Sequence, residues 1–564
     1  MNTATMIDCR QSQTLISATH AARVALIAAA AGTLFSACGG SGDLVTEAPP
    51  AEQVRAAASP PPPVIRQAPQ DATIGIGAGV RLSVVAVTLG GRLTYRWYKN
   101  GVAIPGAAAA GSNYDINAAV TGDNGIYTVR VTDSLFLTST TSTLAKLNVV
   151  QNQWAQLGGR PVYSVGRAQQ PSLALCGSPS VAHVLSGNGR AGLYVKYFDG
   201  KQWVPLGNGG TLNQTATGNA STPSLDCVSD GTTYRPIVAW SEGTGVAHDI
   251  YVKVWNGSKW DLVGAGALNA TPGSDAWRPT LRTTPFDANT GNTFINGATR
   301  RSAIAWIENG VPTVKYWDNG WLPYGAGVQI PNVNNASDIA LTIELDEQGQ
   351  TYPPIVAGLM TMGGSTRQFV ATHNAGLGMW VMMANPVLGS LNPPTPAASA
   401  QWAGRIGIGV GKYLQGRTPV AFWADGAATP NFLSYMYDSG SFVPGTGGQA
   451  WTRYGTAFTV AGMLKTTSFD HREFRREGAN ACALGNLPTF GWAISRTNGF
   501  EVRRGTCGMV NSPADWAVVR TGHHVPLEEI SLRMASADDP YVAGTQLTSV
   551  VNGVYELSVW KFYP

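Results

Sequence analysis

A short aromatic sequence recurs along most of this chain, and this repeat constrains the fold more than any other feature. One copy, from Ile250 to Gly264, reads IYVKVWNGSKWDLVG, and two further copies end at Gly207 and Gly325. Side chains alternate along YVKVW with the period of a strand, and Asn256-Gly257 is typical of a tight turn. Each copy is therefore predicted to be a β-hairpin, and repeated hairpins indicate a repeat fold.

Two markers recur in step between residues 151 and 564, at intervals of about 60 residues. One is a tryptophan in the second strand of the hairpin, and the other is a small residue within a short apolar strand. Each repeat then holds four strands, and four antiparallel strands repeated radially form a β-propeller. The tryptophans are Trp154, Trp203, Trp260, Trp321, Trp380, Trp451 and Trp516. The small residues are Ala182, Ala239, Ala305, Ala357, Ala421, Gly491 and Ala543.

The two ends of the repeat region predict seven blades, with six and eight as alternatives. The strand around Trp154 precedes every partner it needs, whereas the last repeat, which ends at Pro564, lacks a tryptophan strand. If the first strand completes the last blade, the ring closes and two free strand edges disappear. We expect the repeated tryptophans to pack between blades rather than to bind sugars, because burying an indole stabilises by roughly 1.5 to 3 kcal/mol.

Composition limits the classes of function. Charged residues are 13% of the chain, about half the usual share, and there are 67 glycines, so many turns are expected. A formal net charge of +4 is too weak to indicate nucleic acid as a partner. The sequence contains no phosphate-binding glycine loop, serine nucleophile elbow or His-Glu-x-x-His motif. We therefore predict no cofactor, no metal site and no catalytic residue.

The N-terminus resembles the signal of bacterial lipoproteins. The apolar run from Val24 to Phe35 is too short to span a bilayer, and LFSACGG from Leu34 to Gly40 resembles the lipoprotein processing box. The resemblance implies that residues 1–37 are removed, that Cys38 is lipidated, and that the chain is anchored to the bacterial outer membrane, facing the periplasm or the cell surface. A plain secretory signal is the alternative. Residues 38–68, rich in Gly, Ala and Pro, are predicted to be a tether.

Residues 69–150 resemble the immunoglobulin-like domains of bacterial surface proteins. Trp97, in TYRWYKNG, matches the core tryptophan of that fold, and Asp123-x-Gly125-x-Tyr127 matches its tyrosine corner. The places where antibody-type domains carry their disulfide hold Val84 and Val129. The resemblance implies an all-β chain with an N-terminal β-sandwich, which serves as a spacer or an adhesive module, before the propeller at residues 151–564.

Four cysteines remain after those of the signal and the lipidation site are set aside. In an oxidising compartment they predict two disulfides, for which three connectivities exist. We favour Cys176 with Cys227 and Cys482 with Cys507, since each pair then falls within or between neighbouring repeats. A metal site is the alternative, but no Cys-x-x-Cys spacing supports it.

Two tryptophans, Trp277 and Trp402, fall outside the repeat registers and are predicted to lie in long connections between blades. Those connections form one face around the central opening, where exposed aromatic rings would stack on sugars. The alternative is that each ring folds back on its own blade. Polar residues beside them, predicted to bind the hydroxyl groups of a ligand, are Asn213, Asn269, Asp275, Arg278 and Asn392.

The function predicted from these patterns is binding. The chain is expected to be a lipid-anchored binding or adhesion protein of the cell envelope, with the propeller as recognition head for a glycan or an envelope protein. The alternatives are a carbohydrate-active enzyme that uses the propeller opening, and a non-catalytic envelope scaffold. A glycoside hydrolase would require two facing carboxylates, and no pair is evident from sequence. The carboxylates near the first strands are Asp226, Glu344, Asp346, Asp470, Glu528 and Glu529.

Overall fold

The computed structural model describes residues 60–283, 302–343, 353–383, 406–472, 489–505 and 516–564, with short gaps inside these ranges. Within them the regular elements are β-strands and three short 3₁₀ turns, at Ala107–Ala109, Thr121–Asp123 and Leu157–Gly159. No helix in this part of the chain is long and apolar enough to cross a membrane. The predictions for Cys38, Trp402, Asn392, Glu344, Asp346, Cys482 and Cys507 lie outside the described residues.

An immunoglobulin-like sandwich forms the N-terminal part of the described chain. One sheet has the strand order β2-β10-β8-β5-β6 with β9 on β8, and two-stranded sheets pair β3 with β7 and β1 with β4. The first strand, β1, lies within the segment predicted as tether. The strands are β1 (Val64–Gln67), β2 (Ala72–Gly75), β3 (Val80–Ser83), β4 (Val85–Val87), β5 (Leu93–Lys99), β6 (Val102–Ala103), β7 (Asn113–Ile116), β8 (Gly125–Asp133), β9 (Ser139–Thr141) and β10 (Ala145–Val150).

The core of this sandwich is built around one buried tryptophan. Trp97 is fully buried, and its indole N–H donates to the Gly111 carbonyl at 2.9 Å. The Tyr127 hydroxyl donates to the Asp123 carbonyl at 2.9 Å, which is the bond of a tyrosine corner. Val84 and Val129 are buried in the same cluster as the tryptophan. The immunoglobulin-like fold is therefore present and is held by packing where related domains carry a disulfide.

The strands that follow form seven repeats of four antiparallel strands in the described part of the chain. Repeat 7 takes its fourth strand, β11 (Gln153–Gln156), from the start of this region. Repeats 1 to 3 contain β12 (Arg167–Cys176), β13 (Ser178–Gly187), β14 (Arg190–Phe198), β15 (Trp203–Pro205); β16 (Asn219–Ser229), β17 (Tyr234–Gly243), β18 (His248–Trp255), β19 (Trp260–Leu262); and β20 (Ala276–Arg282), β21 (Ala303–Glu308), β22 (Val311–Trp317), β23 (Trp321–Pro323). Repeats 4 to 7 contain β24 (Ala336–Thr342), β25 (Ile355–Met362), β26 (Ser365–Asn374), β27 (Met379–Met382); β28 (Gly407–Tyr413), β29 (Gly416–Ala424), β30 (Asn431–Asp438), β31 (Ala450–Arg453), with β32 (Phe458–Thr459) beside β30; β33 (Leu464–Arg472), β34 (Thr489–Arg496), β35 (Gly499–Gly505), β36 (Trp516–His523); and β37 (Glu529–Ser536), β38 (Asp539–Ser549), β39 (Val554–Tyr563).

The hairpin predicted from the recurring sequence is present in repeat 2. Trp255 in β18 is paired with Trp260 in β19. Between them the Asn256 side-chain oxygen accepts the backbone N–H groups of Ser258 and Lys259, each at 2.9 Å. Gly257 adopts a φ of 106°, which a side chain would disfavour. The Asn-Gly pair thus closes the turn as its chemistry predicts.

The strand around Trp154 is paired antiparallel with the C-terminal strand, as predicted. Trp154 lies opposite Phe562, and its ring meets the rings of Phe500 and Phe562 at centroid distances of 5.2 and 5.8 Å. The first and last strands of the repeat region therefore share one sheet. The number of blades and the closure of a ring remain predictions.

Most of the repeated tryptophans serve packing, as predicted. Trp240, Trp306 and Trp423 are buried in the second strands of their repeats. The fourth-strand tryptophans of repeats 1, 2 and 3 are half-buried, and each indole N–H donates to a carbonyl that precedes its own repeat. These bonds join Trp203 to Leu157 at 3.2 Å, Trp260 to Leu206 at 3.1 Å and Trp321 to Val263 at 3.0 Å.

Two covalent or ionic links hold the start of the repeat region. Cys176 and Cys227 form a disulfide with a Cα–Cα distance of 5.3 Å, which confirms that predicted pair and joins the first strands of repeats 1 and 2. Lys201, in the hairpin of repeat 1, contacts Asp115 of the sandwich at 2.8 Å. Arg81 binds the same carboxylate, and its hydrogen bond is the main reason that the pKa of Asp115 falls to about 2.

Candidate functional site

The predicted ligand residue Asn269 lies in the loop that enters repeat 3, and its amide is engaged by the protein itself. Its side-chain oxygen accepts the Ile250 N–H at 2.9 Å, while its nitrogen donates to the carbonyls of His248 at 2.9 Å and Ser274 at 3.0 Å. Asn213 makes the matching contacts in the loop that enters repeat 2, with Leu193 at 2.8 Å, Ala191 at 3.0 Å and Gly218 at 2.6 Å. Their ligand role stays a prediction, and these contacts argue against it.

A buried glutamate, which the sequence analysis did not predict, accepts backbone N–H groups of each of these loops. Glu308 accepts the indole N–H of Trp306 and the backbone N–H groups of Ala270 and Thr271, all at 2.8 Å. Residues two apart in a strand share a face, so the spacing Trp-x-Glu was a readable signal. Glu242 makes the equivalent bonds in repeat 2, with Trp240 at 2.8 Å and with Gln214 and Thr215 at 2.7 Å.

The position of Trp277 differs from the predicted one. It lies within strand β20, opposite Ile307, and its half-buried ring packs against the core between repeats 3 and 4. The prediction of an exposed loop tryptophan is therefore wrong for this residue. The guanidinium of Arg278 lies over the ring, 5.2 Å from its centroid, so a cation covers one face of the indole.

Arg278 occupies a bulge that recurs at the start of the first strand in repeats 1, 2 and 3. Gln170, Thr222 and Arg278 have φ values of 52°, 47° and 53°, in the left-handed region. Each precedes a proline and lies where the register of the strand pair shifts. Such a backbone conformation costs about 1 kcal/mol or more for a residue with a side chain, and strain of this kind clusters at functional sites. The bulge directs these side chains out of the strand ladder.

The bulge side chains meet polar groups of neighbouring repeats. Arg278 donates to the Asp338 carboxylate at 2.6 Å, and the other oxygen of that carboxylate accepts the Ile406 N–H at 2.9 Å. Gln170 accepts the backbone N–H of Thr222 at 2.6 Å. We call the residues at these strand starts the bulge cluster. Its members are Gln170, Thr222, Arg278, Asp338, Lys465, Glu528 and Glu529, with further contacts from Lys465 to Glu528 and from the Gln170 N–H to Glu529.

Hydroxyl groups link the first strands just beyond the bulges. The Ser172 hydroxyl accepts the Leu225 N–H at 2.9 Å, and this bond connects repeat 1 to repeat 2. The Ser531 hydroxyl accepts the Leu173 N–H at 3.0 Å and so connects repeat 7 to repeat 1. Equivalent bonds join Ser224 to Leu281 at 2.9 Å and Ser468 to Leu532 at 3.0 Å.

A buried ion pair fills the space between the first strands further along. Arg533 contacts the Asp470 carboxylate at 3.4 Å, and both side chains are buried. The same guanidinium donates to the Leu225 carbonyl at 3.3 Å, although that residue belongs to repeat 2 and Arg533 to repeat 7. Asp226 accepts the Thr283 N–H at 2.9 Å. The candidate carboxylates that the structure describes are thus each held by a cation or a backbone N–H.

Asp275 contacts a histidine in the loop region beside Trp277. Its carboxylate lies 2.6 Å from Nδ1 of His248, and both side chains are partly exposed. The role predicted for Asp275 in ligand binding stays a prediction. Among the described residues, no group of three or more His, Cys, Asp or Glu side chains is placed to hold a metal ion.

No protein-family model matches the chain, and no curated protein is significantly similar to it. Solved structures that resemble it include the NanB sialidase of Streptococcus pneumoniae, with 10% identity, 80% of this chain and 87% of that chain covered, and a TM-score of 0.34. The lectin of Aleuria aurantia, a six-bladed β-propeller, has 10% identity, coverage of 62% and 98%, and a TM-score of 0.34. A mutant sialidase of Trypanosoma rangeli has 9% identity, coverage of 73% and 58%, and a TM-score of 0.33. The fold assignment therefore rests on the strand pairing itself.

Proposed function

We propose that this chain is a binding protein of the bacterial cell envelope, anchored to the outer membrane by lipid at Cys38. Its seven repeats form the recognition head, and the sandwich supports that head. The observation that carries the proposal is the bulge cluster, because acidic, basic and amide side chains occupy equivalent positions at the starts of the first strands. Strained bulges that aim polar side chains are typical of binding sites.

The repeats form one closed, seven-bladed propeller in this proposal. The first strands of consecutive repeats contact one another, and β37 contacts β12. The bond between Ser531 and Leu173 and the pairing of β11 with β39 support a link between the last repeat and the first. In a closed propeller the bulge cluster encircles one mouth of the central opening, which is where such folds bind ligands.

The ligand in this proposal is a polyhydroxylated molecule such as a glycan. The side chains of Arg278 and Glu528 are each 35% exposed, so the cluster offers both donors and acceptors to a ligand. Hydroxyl groups satisfy both kinds of partner, whereas a strongly charged ligand would meet like charges within the cluster. The half-buried ring of Trp277, which Arg278 covers on one face, lies beside these side chains. Trp402 and Asn392 stay candidates for the same ligand.

The described carboxylates favour binding over hydrolysis. Asp338 is held by Arg278, Asp470 by Arg533 and Glu528 by Lys465. A glycosidase needs one carboxylic acid that stays protonated and a second carboxylate facing it across the substrate. Here each of these three carboxylates is paired with a cation of the protein instead.

The test is retention of the purified full chain on a panel of polysaccharides, with Arg278→Gln as variant. We expect affinity to fall about tenfold, because the glutamine loses a charged donor at the mouth of the opening. Lys259→Gln is the matched control, since Lys259 is an exposed cation in a hairpin away from the cluster. Melting temperatures of both variants show whether the head stays folded. Equal binding by a folded Arg278→Gln variant, or no retention of the wild-type chain on any polysaccharide, would contradict the proposal.

A further inference from the structure

We infer that one end of the immunoglobulin-like sandwich rests on the lipid surface to which the chain is anchored. Four large apolar side chains, which we call the apolar tip, are exposed together in two loops at this end. They are Leu89, Leu135, Phe136 and Leu137, with exposures of 81%, 63%, 41% and 78%. A monomeric soluble domain seldom exposes a contiguous apolar group of this size unless the surface has a partner.

Hydrogen bonds to a buried carboxylate fix the backbone of the loop that carries most of the tip. The carboxylate of Asp133 is buried, and one of its oxygens accepts the backbone N–H groups of Leu135 at 2.8 Å and Phe136 at 3.2 Å. Its other oxygen accepts the Thr88 hydroxyl of the neighbouring loop. The carboxylate therefore points inward and ties the two loops together. The face that remains for solvent carries apolar side chains held by a fixed backbone.

The chain enters the sandwich beside this tip. The Pro63 carbonyl accepts the Thr140 hydroxyl at 2.6 Å, and Val64 is paired with Val87 just before the first tip loop. Cys38 precedes Pro60 by 22 residues. The sequence predicts a tether there, and a random coil of that length would span about 25 Å on average. The inference rests on the proposed lipid anchor at Cys38, because a chain anchored there holds the tip, and not the opposite end, close to the bilayer.

The opposite end of the sandwich contacts repeat 1. Asp115, at the far end of the fold from the tip loops, contacts Lys201 of repeat 1 at 2.8 Å. An exposed arginine, Arg92, borders the tip, and its backbone is bonded to Ser134 in both directions. Apolar side chains edged by a cation suit the boundary between acyl chains and phosphate headgroups. Four partly exposed side chains are too few to anchor a protein alone, but enough to orient one that a lipid already holds.

The experiment measures water access at the tip in the full chain, purified from membranes and reconstituted into vesicles of phosphatidylethanolamine and phosphatidylglycerol. Leu135→Cys carries an environment-sensitive dye, and Val102→Cys carries the same dye as the matched control. Val102 is 72% exposed and begins strand β6, where it is paired with Lys99 at the end of β5 that is far from the tip. The wild-type chain, taken through the same labelling reaction, gives the background.

We expect the dye at position 135 to emit at shorter wavelength in vesicles and to lose several-fold of its quenching by aqueous iodide, while the dye at 102 stays unchanged. If the chain sediments with vesicles but both dyes are quenched equally, the tip contact is wrong and the anchor stands. If the chain stays in the supernatant, the anchor is wrong, and the contact fails with it. Protection of position 135 without vesicles would assign the tip to a second copy of the chain and would also overturn the inference.

Discussion

Repeats 2 and 3 hold their entering loops with a buried carboxylate, whereas repeat 1 holds its loop with the C-terminal strand. In repeat 3 the carboxylate is Glu308, which accepts the Trp306 indole and two backbone N–H groups of the loop. In repeat 1 the same two places hold His183 and Leu185, and no carboxylate is available. The loop is instead bonded to Leu557, which accepts the Val162 N–H at 2.7 Å.

A lysine in the third strand is common to all three repeats. Lys196, Lys253 and Lys315 donate to carbonyls of the entering loops at 2.7, 2.8 and 2.7 Å, and burial lowers the pKa of each. All three entering loops are therefore bound by a lysine, but the second contact differs between repeats. Repeats 2 and 3 use a glutamate of their own second strand, and repeat 1 uses the C-terminal strand in its place.

The largest effect is expected from Glu308→Ala. Removal of the carboxylate leaves the Trp306 indole and the loop N–H groups without a partner in a buried place, so we expect the free energy of unfolding to fall by about 3 to 5 kcal/mol. Urea denaturation and thermal melting measure it. The control is Asp261→Ala, a partly exposed carboxylate that contacts Lys259 and the Asn256 amide, for which the loss should stay at about 1 kcal/mol. Similar losses for both variants would mean that the bonds of Glu308 to the loop contribute no more than a surface ion pair.

Acid should destabilise the protein through repeat 1, where His183 stands in the place that Trp240 and Trp306 take in repeats 2 and 3. His183 is fully buried, and burial, followed by the charge of Lys196, lowers its pKa from 6.5 to about 3. Below pH 6.5 the unfolded chain binds a proton that the folded chain refuses, so stability falls as the pH drops towards 3, by up to about 1.4 kcal/mol per pH unit.

The measurement is the melting temperature from about pH 7 to about pH 4, for the wild-type chain and for His183→Phe, which cannot titrate. The difference between the two curves should widen steadily as the pH falls below 6.5. Parallel curves would mean that the imidazole accepts its proton in the folded state.

At neutral pH the same substitution should stabilise the protein. Neither ring nitrogen of His183 forms a well-aligned hydrogen bond with the described residues, although the Val181 backbone contacts the ring, and the ring packs against Tyr163 and Tyr194. Replacing an unsatisfied buried imidazole by an aromatic hydrocarbon should raise the free energy of unfolding by about 1 kcal/mol. Urea denaturation at about pH 7.5 measures it. A fall in stability would indicate that a water molecule satisfies the ring.

The features predicted correctly from sequence are those with a local signal. The period of two and the Asn-Gly turn encode the hairpins, and the orphan strand at Trp154 encodes its pairing with the C-terminus. The predicted location of Trp277 is wrong because the strand continues through a bulge at Arg278. It therefore starts earlier than the alternation of apolar and polar side chains indicates. The partners of the Asn269 amide could not be predicted, because they are backbone groups, including the Ile250 N–H of strand β18, which side-chain patterns do not reveal.

The smallest effect compares the bulges of repeats 1 and 2, which have the same strained backbone but different side-chain partners. Gln170 accepts the Thr222 N–H, whereas the buried Thr222 hydroxyl has no hydrogen-bond partner among the described residues. Glycine relieves the left-handed strain at either place. Thr222→Gly should therefore be neutral or slightly stabilising, whereas Gln170→Gly also removes an acceptor, so the two should differ by about 1 kcal/mol in urea denaturation. If both variants change stability equally, the Gln170 side chain contributes nothing to the contact between the repeats, and the bulge acts through its backbone alone.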